Sequence, residues 1–305
     1  MKITVIILTY NEELHIERCI RSAQLITDSI YVVDSNSSDS TIDIATSLGV
    51  RLLNRNFDSH SQQFNWALEA IDHCEWVIRM DADEYLTNEL AVNIREAVEL
   101  NSLVIHGYAF PRRIAFLGKL IRFGGVFPVE IVRMFRYGFG KIESRLMDEQ
   151  ILVSGKVVAL KGELIDDNKS SLSWWIDKHN RYASLEALEM LSNGSVDEPS
   201  CQLSGKTAFR RKLKNNYYKL PVSIRALSLF IYRYVIRLGF RDGFYGFLFH
   251  FYQGFWYRLL VDSKYQALID AGIGSITEDS VGIISRSLGL SESTVLSKLN
   301  FGKHV

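Results

Sequence analysis

Residues 2–20 of the 305-residue chain read KITVIILTYNEELHIERCI, an apolar run that changes abruptly to polar residues. Residues 2–8 are almost all β-branched or apolar, a pattern typical of a strand that is buried on both faces, as in a parallel sheet. Asn11 then stands where a helix N-cap is expected, with Glu12 and Glu13 in the first turn of the predicted helix. A buried strand is therefore predicted to end in polar groups and to turn at once into a helix.

The same unit of strand, polar loop and helix recurs along the next part of the chain. DSIYVVDSNSSDSTIDIATSLGV, residues 28–50, predicts a strand ending at Asp34 and a helix ending at Gly49, before the short strand RLLN. SQQFNWALEAI, residues 61–71, predicts another helix, and EWVIRMDADEYL, residues 75–86, predicts another strand. This alternation favours an α/β fold with a doubly wound, Rossmann-like, mostly parallel sheet flanked by helices.

Polar clusters follow three of the predicted strands, at residues 9–12, 34–39 and 81–84. Because ligands of open parallel sheets bind beyond the carboxyl ends of the strands, we expect these clusters to form a site. The loop after the first strand contains neither GxGxxG nor GxxxxGK[ST], so a dinucleotide fingerprint and a P-loop are both absent from it.

The acidic cluster at the end of the strand of residues 75–86 contains Asp81 and Asp83. Carboxylate oxygens are preferred ligands of hard divalent cations, and substrate phosphates commonly complete the coordination. The pair therefore suggests a site for Mg²⁺ or Mn²⁺. The alternative is a solvated turn before a helix N-terminus, where the helix dipole favours acidic side chains.

Charge is distributed unevenly along the chain, although its 35 Lys and Arg residues balance 35 Asp and Glu residues. Residues 206–261, called the basic arm below, contain eleven Lys or Arg and a single acid, Asp242. The arm therefore has a formal charge of +10, and the rest of the chain has −10. Such an asymmetry suggests an anionic partner for the arm.

The cysteines and the N-terminus indicate a cytosolic protein. Cys19, Cys74 and Cys201 lie far apart and form no CxxC or metal-binding spacing, which is typical of reduced thiols. A single Lys precedes the first apolar run and no small-residue cleavage site follows it, so no signal peptide is predicted. With 47 % hydrophobic residues, the chain can bury a sizeable core.

Three motifs in the first third of the chain carry a resemblance to a known family. They are VIILTYNEE (residues 5–13), VVDSNSSDST (residues 32–41) and VIRMDADEYL (residues 77–86). In that order they resemble the nucleotide-sugar half of the family 2 glycosyltransferases, which are inverting enzymes with the GT-A fold. The resemblance implies the same fold and a nucleotide-sugar donor for this chain.

The resemblance also implies roles for particular residues. Asp34 would hydrogen-bond the base, and Asp81 would face the ribose or the phosphates. Asp83 would be the principal ligand of Mg²⁺ or Mn²⁺, with Asp81 beside it. The residues that would line the nucleotide are Thr9, Tyr10, Asn11 and Glu12.

A catalytic base is expected in the middle of the chain. An inverting transfer needs a carboxylate that accepts the proton of the acceptor hydroxyl as this hydroxyl attacks the anomeric carbon. RLMDEQI, residues 145–151, resembles a segment of bacterial lipopolysaccharide and polysaccharide members of the family. The resemblance implies Glu149 as the base, with Asp148 as the alternative, since adjacent side chains of a strand point to opposite faces.

Three further residues are candidates for acceptor or diphosphate contacts. Arg133 and Arg136 flank a Met-Phe pair. His179 lies in LSWWIDKHNRYASLEALEM, residues 172–190, which also resembles this branch of the family. A structural histidine on an aromatic helix face is the alternative for His179.

The basic arm predicts a contact with a membrane surface. Arg233, Arg237 and Arg241 are spaced by four residues, which predicts that they share one face of an amphipathic helix. No stretch reaches the roughly 18 uncharged apolar residues of a spanning helix, so a helix lying on the membrane is favoured. Packing against the rest of the protein or a dimer partner is one alternative. Nucleic-acid binding is another, but the acidic body disfavours it.

The chain is expected to have three parts. Residues 1–170 are the predicted GT-A nucleotide-sugar-binding and catalytic domain. Residues 171–270 are the predicted membrane-associating region, which is helical, basic and aromatic, and residues 271–305 are a small helical tail.

The resemblance implies a cytoplasmic enzyme, peripheral on the inner face of the cytoplasmic membrane. It would transfer a sugar from a nucleotide-diphosphate donor, such as a UDP-sugar, to a lipid-linked saccharide in bacterial surface polysaccharide synthesis. A homo-oligomer is left open. One alternative is a sugar nucleotidyltransferase, which is disfavoured because TYNEE stands where such enzymes need a Gly-rich basic loop. The other is a non-catalytic nucleotide-binding scaffold, which the intact acids disfavour.

Overall fold

The computed structural model describes residues 2–100, 102–143, 150–193 and 221–301. The chain divides into two compact units, residues 1–171 and residues 172–305. The first unit has an α/β fold, and the second is helical. The three-part division expected from the sequence, and the roles of its parts, stay predictions.

In the first unit, strands alternate with helices over roughly the first hundred residues, and mostly strands follow. The helices are α1 (Ile16–Ala23), α2 (Thr41–Ser47), α3 (His60–Ala70) and α4 (Asn88–Leu100). The strands are β1 (Ile3–Thr9), β2 (Ile30–Asp34), β3 (Arg51–Asn54), β4 (Trp76–Asp81), β5 (Glu84–Leu86), β6 (Ile105–Phe116), β7 (Lys119–Leu120), β8 (Val129–Arg136), β9 (Gly140–Ile142), β10 (Ile151–Val153), β11 (Lys156–Ala159) and β12 (Leu164–Asp167).

The large sheet has the strand order β3-β2-β1-β4-β8-β6-β12-β5, and β7 and β11 also pair with β6. The first four strands in this order are parallel. Strand β8 is antiparallel to both β4 and β6, whereas β12 is parallel to β6. The predicted mostly parallel sheet flanked by helices is confirmed, with β8 as an antiparallel insertion at its centre.

Strand β1 is buried along its whole length, as its apolar sequence predicts. Val5 and Ile7 belong to an apolar cluster with side chains of α1 and α4. Ile6 and Leu8 belong to a second cluster that includes Phe64 of α3. Because alternate residues of a strand point to opposite faces, these two clusters cover the two faces of the sheet.

The loop after β1 differs from the sequence-based expectation. Asn11 is not a helix N-cap, because α1 begins only at Ile16 and Asn11 has a φ of 53°. Asparagine adopts this left-handed conformation more readily than most residues because its short side chain can bond locally. Here its Oδ1 accepts a 2.8 Å hydrogen bond from the Ser38 amide, and its own amide donates to the Ser37 hydroxyl at 2.9 Å. Asn11 therefore joins the loop after β1 to the loop after β2.

The single strand expected at residues 75–86 is in fact two strands. Strand β4 ends at Asp81, and β5 begins at Glu84 and pairs antiparallel with β12 at the far edge of the sheet. The Asp81 amide donates to Glu84 Oε2 at 3.0 Å, across the turn that separates the two strands. The turn places residues 81–84 at the carboxyl end of β4.

The second unit contains helices α5 (Leu172–Asn193), α6 (Val222–Ile231), α7 (Gly243–Phe249), α8 (Tyr257–Asp270), α9 (Val281–Leu288) and α10 (Glu292–Phe301). π-Helical turns at Tyr232–Ile236 and His250–Trp256 continue α6 and α7, and a 3₁₀ turn at Gly239–Asp242 joins the two segments. Side chains of α5, α8 and α9 share an apolar core. A buried ion pair between Arg225 and Asp262 joins α6 to α8.

The prediction that Arg233, Arg237 and Arg241 share one helix face is wrong. Arg233 lies in the π-helical turn, Arg237 ends that turn, and Arg241 lies in the 3₁₀ turn beyond a reversal at Leu238, whose φ is 60°. A single left-handed residue ends a right-handed helix, so the four-residue spacing does not continue across it. No helix in the described part of the chain is long and apolar enough to cross a membrane.

Candidate functional site

The parallel strands β1 and β2 end side by side, with Thr9 opposite Asp34. Asp34 is buried, and its carboxylate accepts hydrogen bonds from both the amide and the hydroxyl of Ser37, at 2.8 and 2.5 Å. Strand β4 adds Asp81 to the same edge, because Asp81 pairs with Leu8 of β1. The sheet thus brings Thr9, Asp34 and Asp81 together, as the sequence predicts.

The loop after β1 carries the other residues expected near a nucleotide. Tyr10 is 59 % exposed, so its ring is accessible from solvent. The Glu12 amide donates to Thr41 Oγ1 at 2.8 Å, and a Glu12 carboxylate oxygen lies 2.5 Å from Nδ1 of the buried His15. These contacts fix the loop against the start of α2.

Asp81 lies between two arginines. Its Oδ1 accepts a hydrogen bond from Arg79 at 3.2 Å, and its Oδ2 accepts one from Arg133 at 2.8 Å. The Arg133 guanidinium also donates to Glu84 Oε1 at 2.5 Å. Arg79, Glu84 and Arg133 are all buried. Of the sequence-predicted candidates, Arg133 therefore reaches the site, where it bonds both carboxylates.

The pKa values of the two carboxyl groups in this cluster, Asp81 and Glu84, are shifted in opposite directions. Burial alone would raise the pKa of Asp81, but the positive charges of Arg79, Arg133 and His60 hold it well below its usual range. Burial raises the pKa of Glu84 to about 7, against the lowering effect of Arg133 and with a further increase from the Asp81 charge. Asp81 is consequently ionised at neutral pH, whereas Glu84 is poised to take up a proton.

Asp83 lies in a different environment. Its Oδ2 accepts a 3.1 Å hydrogen bond from the Asn168 side-chain amide, just after β12. Arg18 of α1 donates to the main-chain oxygens of Asp83 and Asp167, at 3.2 and 2.6 Å, and pairs with the Asp167 carboxylate. The segment after β12 is thereby held against the turn that carries Asp83.

The contacts of Asp81 and Asp83 determine how each could bind a divalent cation. Both Asp81 oxygens are bonded to arginine, whereas Asp83 forms no ion pair with the described residues. Within the described ranges, no three His, Cys, Asp or Glu side chains converge closely enough to hold a metal ion. Mg²⁺ commonly binds through one or two carboxylates while phosphates and water complete its shell. The residues fit such a site with Asp83 as a ligand.

One of the candidate contacts, Arg136, is not brought to this cluster. Arg136 pairs with Trp76 at the opposite end of β4, where it donates to the Ile105 carbonyl at 3.1 Å and lies over the Trp76 ring. His179 lies in the second unit, stacked 3.5 Å from Trp175, and burial lowers its pKa to about 4. Asp148 and Glu149 lie outside the described residues.

Sequence patterns missed several residues that shape the site, namely Arg18, Arg79, Glu84, Asp167 and Asn168. Arg79 and Glu84 flank Asp81 and Asp83 in the sequence, and this proximity could have identified them as residues of the site. Asp167 and Asn168 are separated from Asp83 by more than eighty residues, and only the pairing of β12 with β5 brings them close.

A cavity of about 480 Å³ opens at the other edge of the parallel strands, beside Lys2, Thr27 and Arg51. Lys2 precedes β1, and Arg51 begins β3, so this cavity lies at the amino ends of the strands. It is therefore separate from the carboxylate cluster.

The shared arginine allows a test of the cluster. We expect Arg133→Met to lower the free energy of unfolding by about 3–5 kcal/mol at neutral pH, because it leaves buried carboxylates without their cation. An acid whose folded-state pKa is raised loses stability as pH rises from its unfolded pKa, near 4.5 for Glu84, through its folded pKa. The deficit should therefore shrink when the pH is lowered from about 8 to about 5. Denaturant unfolding at both pH values measures it.

Arg112→Met is the matched control, because Arg112 pairs with Asp166 at 3.7 Å in a partly exposed position. Its cost should not exceed about 1 kcal/mol. Arg133→Met/Glu84→Gln should recover part of the loss at high pH. Equal losses for Arg112→Met and Arg133→Met, or a pH-independent deficit, would contradict the role of Arg133.

Comparison with known proteins finds similarity to glycosyltransferases. Residues 4–113 match the model of the protein family described as glycosyl transferase family 2. The chain is 29 % identical to an uncharacterized glycosyltransferase of Rickettsia prowazekii over 210 residues, which cover 63 % of this chain and 69 % of that protein. An uncharacterized glycosyltransferase of Rickettsia bellii is 42 % identical over 89 residues, covering 29 % of this chain and 30 % of the relative.

Among solved structures, the chain is similar to glucosyl-3-phosphoglycerate synthase from Mycobacterium tuberculosis in complex with Mn²⁺, UDP-glucose and phosphoglyceric acid. The sequence identity is 24 % and the TM-score is 0.31. The aligned part spans 37 % of this chain and only 44 % of that structure.

Proposed function

Residues 4–113 match the family model of glycosyl transferase family 2, and from this match we propose that the chain is a glycosyltransferase of GT-A fold that transfers one sugar from a UDP-sugar to a lipid-linked saccharide. The transfer would invert the anomeric carbon. The observation that carries the proposal is the position of Asp34 and Asp81 at the carboxyl ends of β2 and β4, on either side of β1, with Asp83 in the turn that follows β4. An edge of this kind is where open α/β sheets bind their ligands.

The donor would lie across the loops after β1 and β2. Asp34 would accept a hydrogen bond from the base, and the exposed ring of Tyr10 would pack on the nucleoside. Thr9, Asn11 and Glu12 complete the proposed nucleotide contacts. Asp81, held ionised by Arg79 and Arg133, would bind the ribose or orient the phosphates.

The reaction needs a base and a leaving group that can carry charge. The acceptor hydroxyl would attack the anomeric carbon as the bond from that carbon to the diphosphate breaks, and its proton would pass to Glu149. Asp83 is the proposed ligand of Mg²⁺ or Mn²⁺, with Asp81 beside it. When bound, such an ion supplies positive charge that stabilises the departing diphosphate.

The charge of the chain supports the proposed acceptor and place of action. Residues 206–261 carry eleven Lys or Arg and one acid, and a segment of this kind is attracted to the anionic inner leaflet of a cell membrane. A lipid-linked acceptor of a bacterial surface polysaccharide would be found there. We place the enzyme in the cytoplasm, peripheral on that membrane.

A donor screen tests the proposal. Purified protein would be incubated with Mn²⁺ and each of several UDP-, GDP- and dTDP-sugars, and release of the nucleoside diphosphate and donor binding would be measured. We expect one UDP-sugar to bind and to be hydrolysed slowly without an acceptor. A sugar nucleotidyltransferase would instead release pyrophosphate from a nucleoside triphosphate and a sugar 1-phosphate. Pyrophosphate release, or no binding of any nucleotide sugar, would contradict the proposal.

A further inference from the structure

Helix α6 and the π-helical turn that continues it expose apolar side chains to solvent. Ile224, Leu227, Ile231 and Val235 follow one another at intervals of three, four and four residues, so they form one stripe along α6 and its π-helical turn. All four are exposed. Helices of soluble proteins normally bury such a stripe, so this face is available for another surface.

The exposure continues around the reversal that follows. The residues concerned are named the apolar tip: Ile231, Val235, Ile236, Leu238, Phe240 and Phe244. Val235, Ile236 and Phe244 are 52, 65 and 68 % exposed. Six bulky apolar side chains within fourteen residues form a local concentration, unlike the scattered single exposures that are usual on protein surfaces.

The apolar tip is built on a closely packed support. Phe230, which directly precedes Ile231, packs edge to face on Phe247 and Phe251. At the reversal, a Cβ on Gly239 would lie 2.5 Å from the ring of the buried His250, so only glycine allows this approach. The exposed side chains are therefore presented by a fixed backbone.

Positive charge predominates around the apolar tip. Arg237 and Arg241 are exposed at the reversal, and Asp242 is the one acid in residues 222–257. Arg225, by contrast, is buried and paired with Asp262. Two copies meeting tip to tip would bring these cations together, whereas an anionic bilayer offers phosphates to the cations and acyl chains to the apolar residues.

We propose that the apolar tip inserts into the interface of an anionic lipid bilayer, with Arg237 and Arg241 contacting lipid phosphates. The inference deepens the proposed function, on which it rests for its biological purpose, by naming the surface that would meet the membrane of a lipid-linked acceptor. It differs from binding by the whole basic arm, because apolar contact is required as well as charge.

The test separates apolar insertion from general attraction of charge. Val235→Ser/Ile236→Ser/Phe244→Ser keeps every charge of the chain, and Leu100→Ser/Leu103→Ser/Val104→Ser is the matched control at exposed positions of the first unit. Cosedimentation of the full-length protein with phosphatidylcholine–phosphatidylglycerol vesicles would be measured at low salt and at about 0.5 M salt, where surface attraction is screened. We expect the tip variant to bind about tenfold more weakly or worse, and the control to bind like the wild type.

A second variant tests the cation. Arg237→Gln should weaken binding about fivefold at low salt, with a smaller effect at high salt. Circular dichroism and thermal unfolding establish that each variant is folded, and Phe244→Ser alone replaces the triple variant if that one unfolds. Neither measurement uses sugar transfer, so failure here is distinguishable from failure of the donor screen.

Three results would overturn the inference. The first is wild-type protein that does not bind anionic vesicles at low salt. The second is a folded tip variant that binds as the wild type does, which would assign binding to charge elsewhere in the arm. The third is a wild-type dimer, seen by analytical ultracentrifugation, that the tip variant dissociates while vesicle binding is unchanged.

Discussion

Asp83→Ala is expected to lower the rate of sugar transfer by about a thousandfold or more, because it removes the proposed ligand of the ion that stabilises the leaving diphosphate. A chelator should reduce wild-type activity to a similar extent. Steady-state transfer, and Mn²⁺ affinity in the presence of UDP, are the measurements. The second readout is independent of turnover, so it distinguishes loss of the ion from a general loss of catalysis.

Glu89→Ala is the matched control, since Glu89 is an exposed carboxylate shortly after the same motif. It should leave both transfer and Mn²⁺ affinity unchanged. Asn168→Leu should have an intermediate effect, because the Asn168 amide donates to Asp83 but would not bind the ion. Full activity of the wild type in chelator would remove the metal assignment altogether.

The second large effect is expected at Glu149. Glu149→Gln keeps the shape of the side chain but cannot accept the proton of the acceptor hydroxyl, so kcat should fall by about 10²- to 10⁴-fold. Donor affinity should be nearly unchanged, since the base acts on the acceptor. Steady-state kinetics with a saturating donor, and donor binding by calorimetry, measure the two quantities.

Asp148→Asn provides the matched comparison and should be milder. If Asp148→Asn is the more severe of the two, the role of base moves to Asp148. If both variants are mild, the base lies elsewhere, and the resemblance of RLMDEQI to other members of the family does not extend to its role.

Local sequence patterns located most of the elements in the first half of the sheet. The segment RLLN is strand β3, residue for residue, and the helix expected at residues 61–71 is α3, which begins and ends one residue earlier. These elements are short, strongly patterned and bounded by polar residues or glycine. Their order along the chain also fixes their neighbours, because parallel strands joined by helices pair in a predictable way.

The centre of the sheet was not predictable in this way. Strand β8 enters between β4 and β6, antiparallel to both, and nothing in its own residues indicates those partners. The same insertion brings Arg133 to Asp81, across 52 residues of sequence. Arg136, three residues later on β8, is carried to the opposite end of β4. Arg133 and Arg136 are only three residues apart, yet they contact opposite ends of β4.

Backbone conformation explains two further differences. Asn11 and Leu238 both have left-handed φ values, of 53° and 60°. Residue identity indicates this weakly for asparagine and not at all for leucine. At Asn11 the result is a longer loop before α1, and at Leu238 it is a reversal where a continuous helix was expected. A four-residue spacing places side chains on one helix face only where the helix is unbroken. The spacing of Arg233, Arg237 and Arg241 could not reveal the break at Leu238.

The position of β8 and β12 in the sheet has a consequence for how this protein must fold. The segment that matches the family, residues 4–113, ends within β6 and contains neither β8 nor β12. Without them, β4 and β6 have no strand between them, and β5 has no partner in the large sheet. A fragment restricted to that segment would keep all three motifs yet expose unpaired strand edges, which favour aggregation. Closure of the sheet must wait for pairings between distant parts of the chain, a topology that folds slowly. The contact of Asp83 with Asn168 likewise depends on the pairing of β12 with β5.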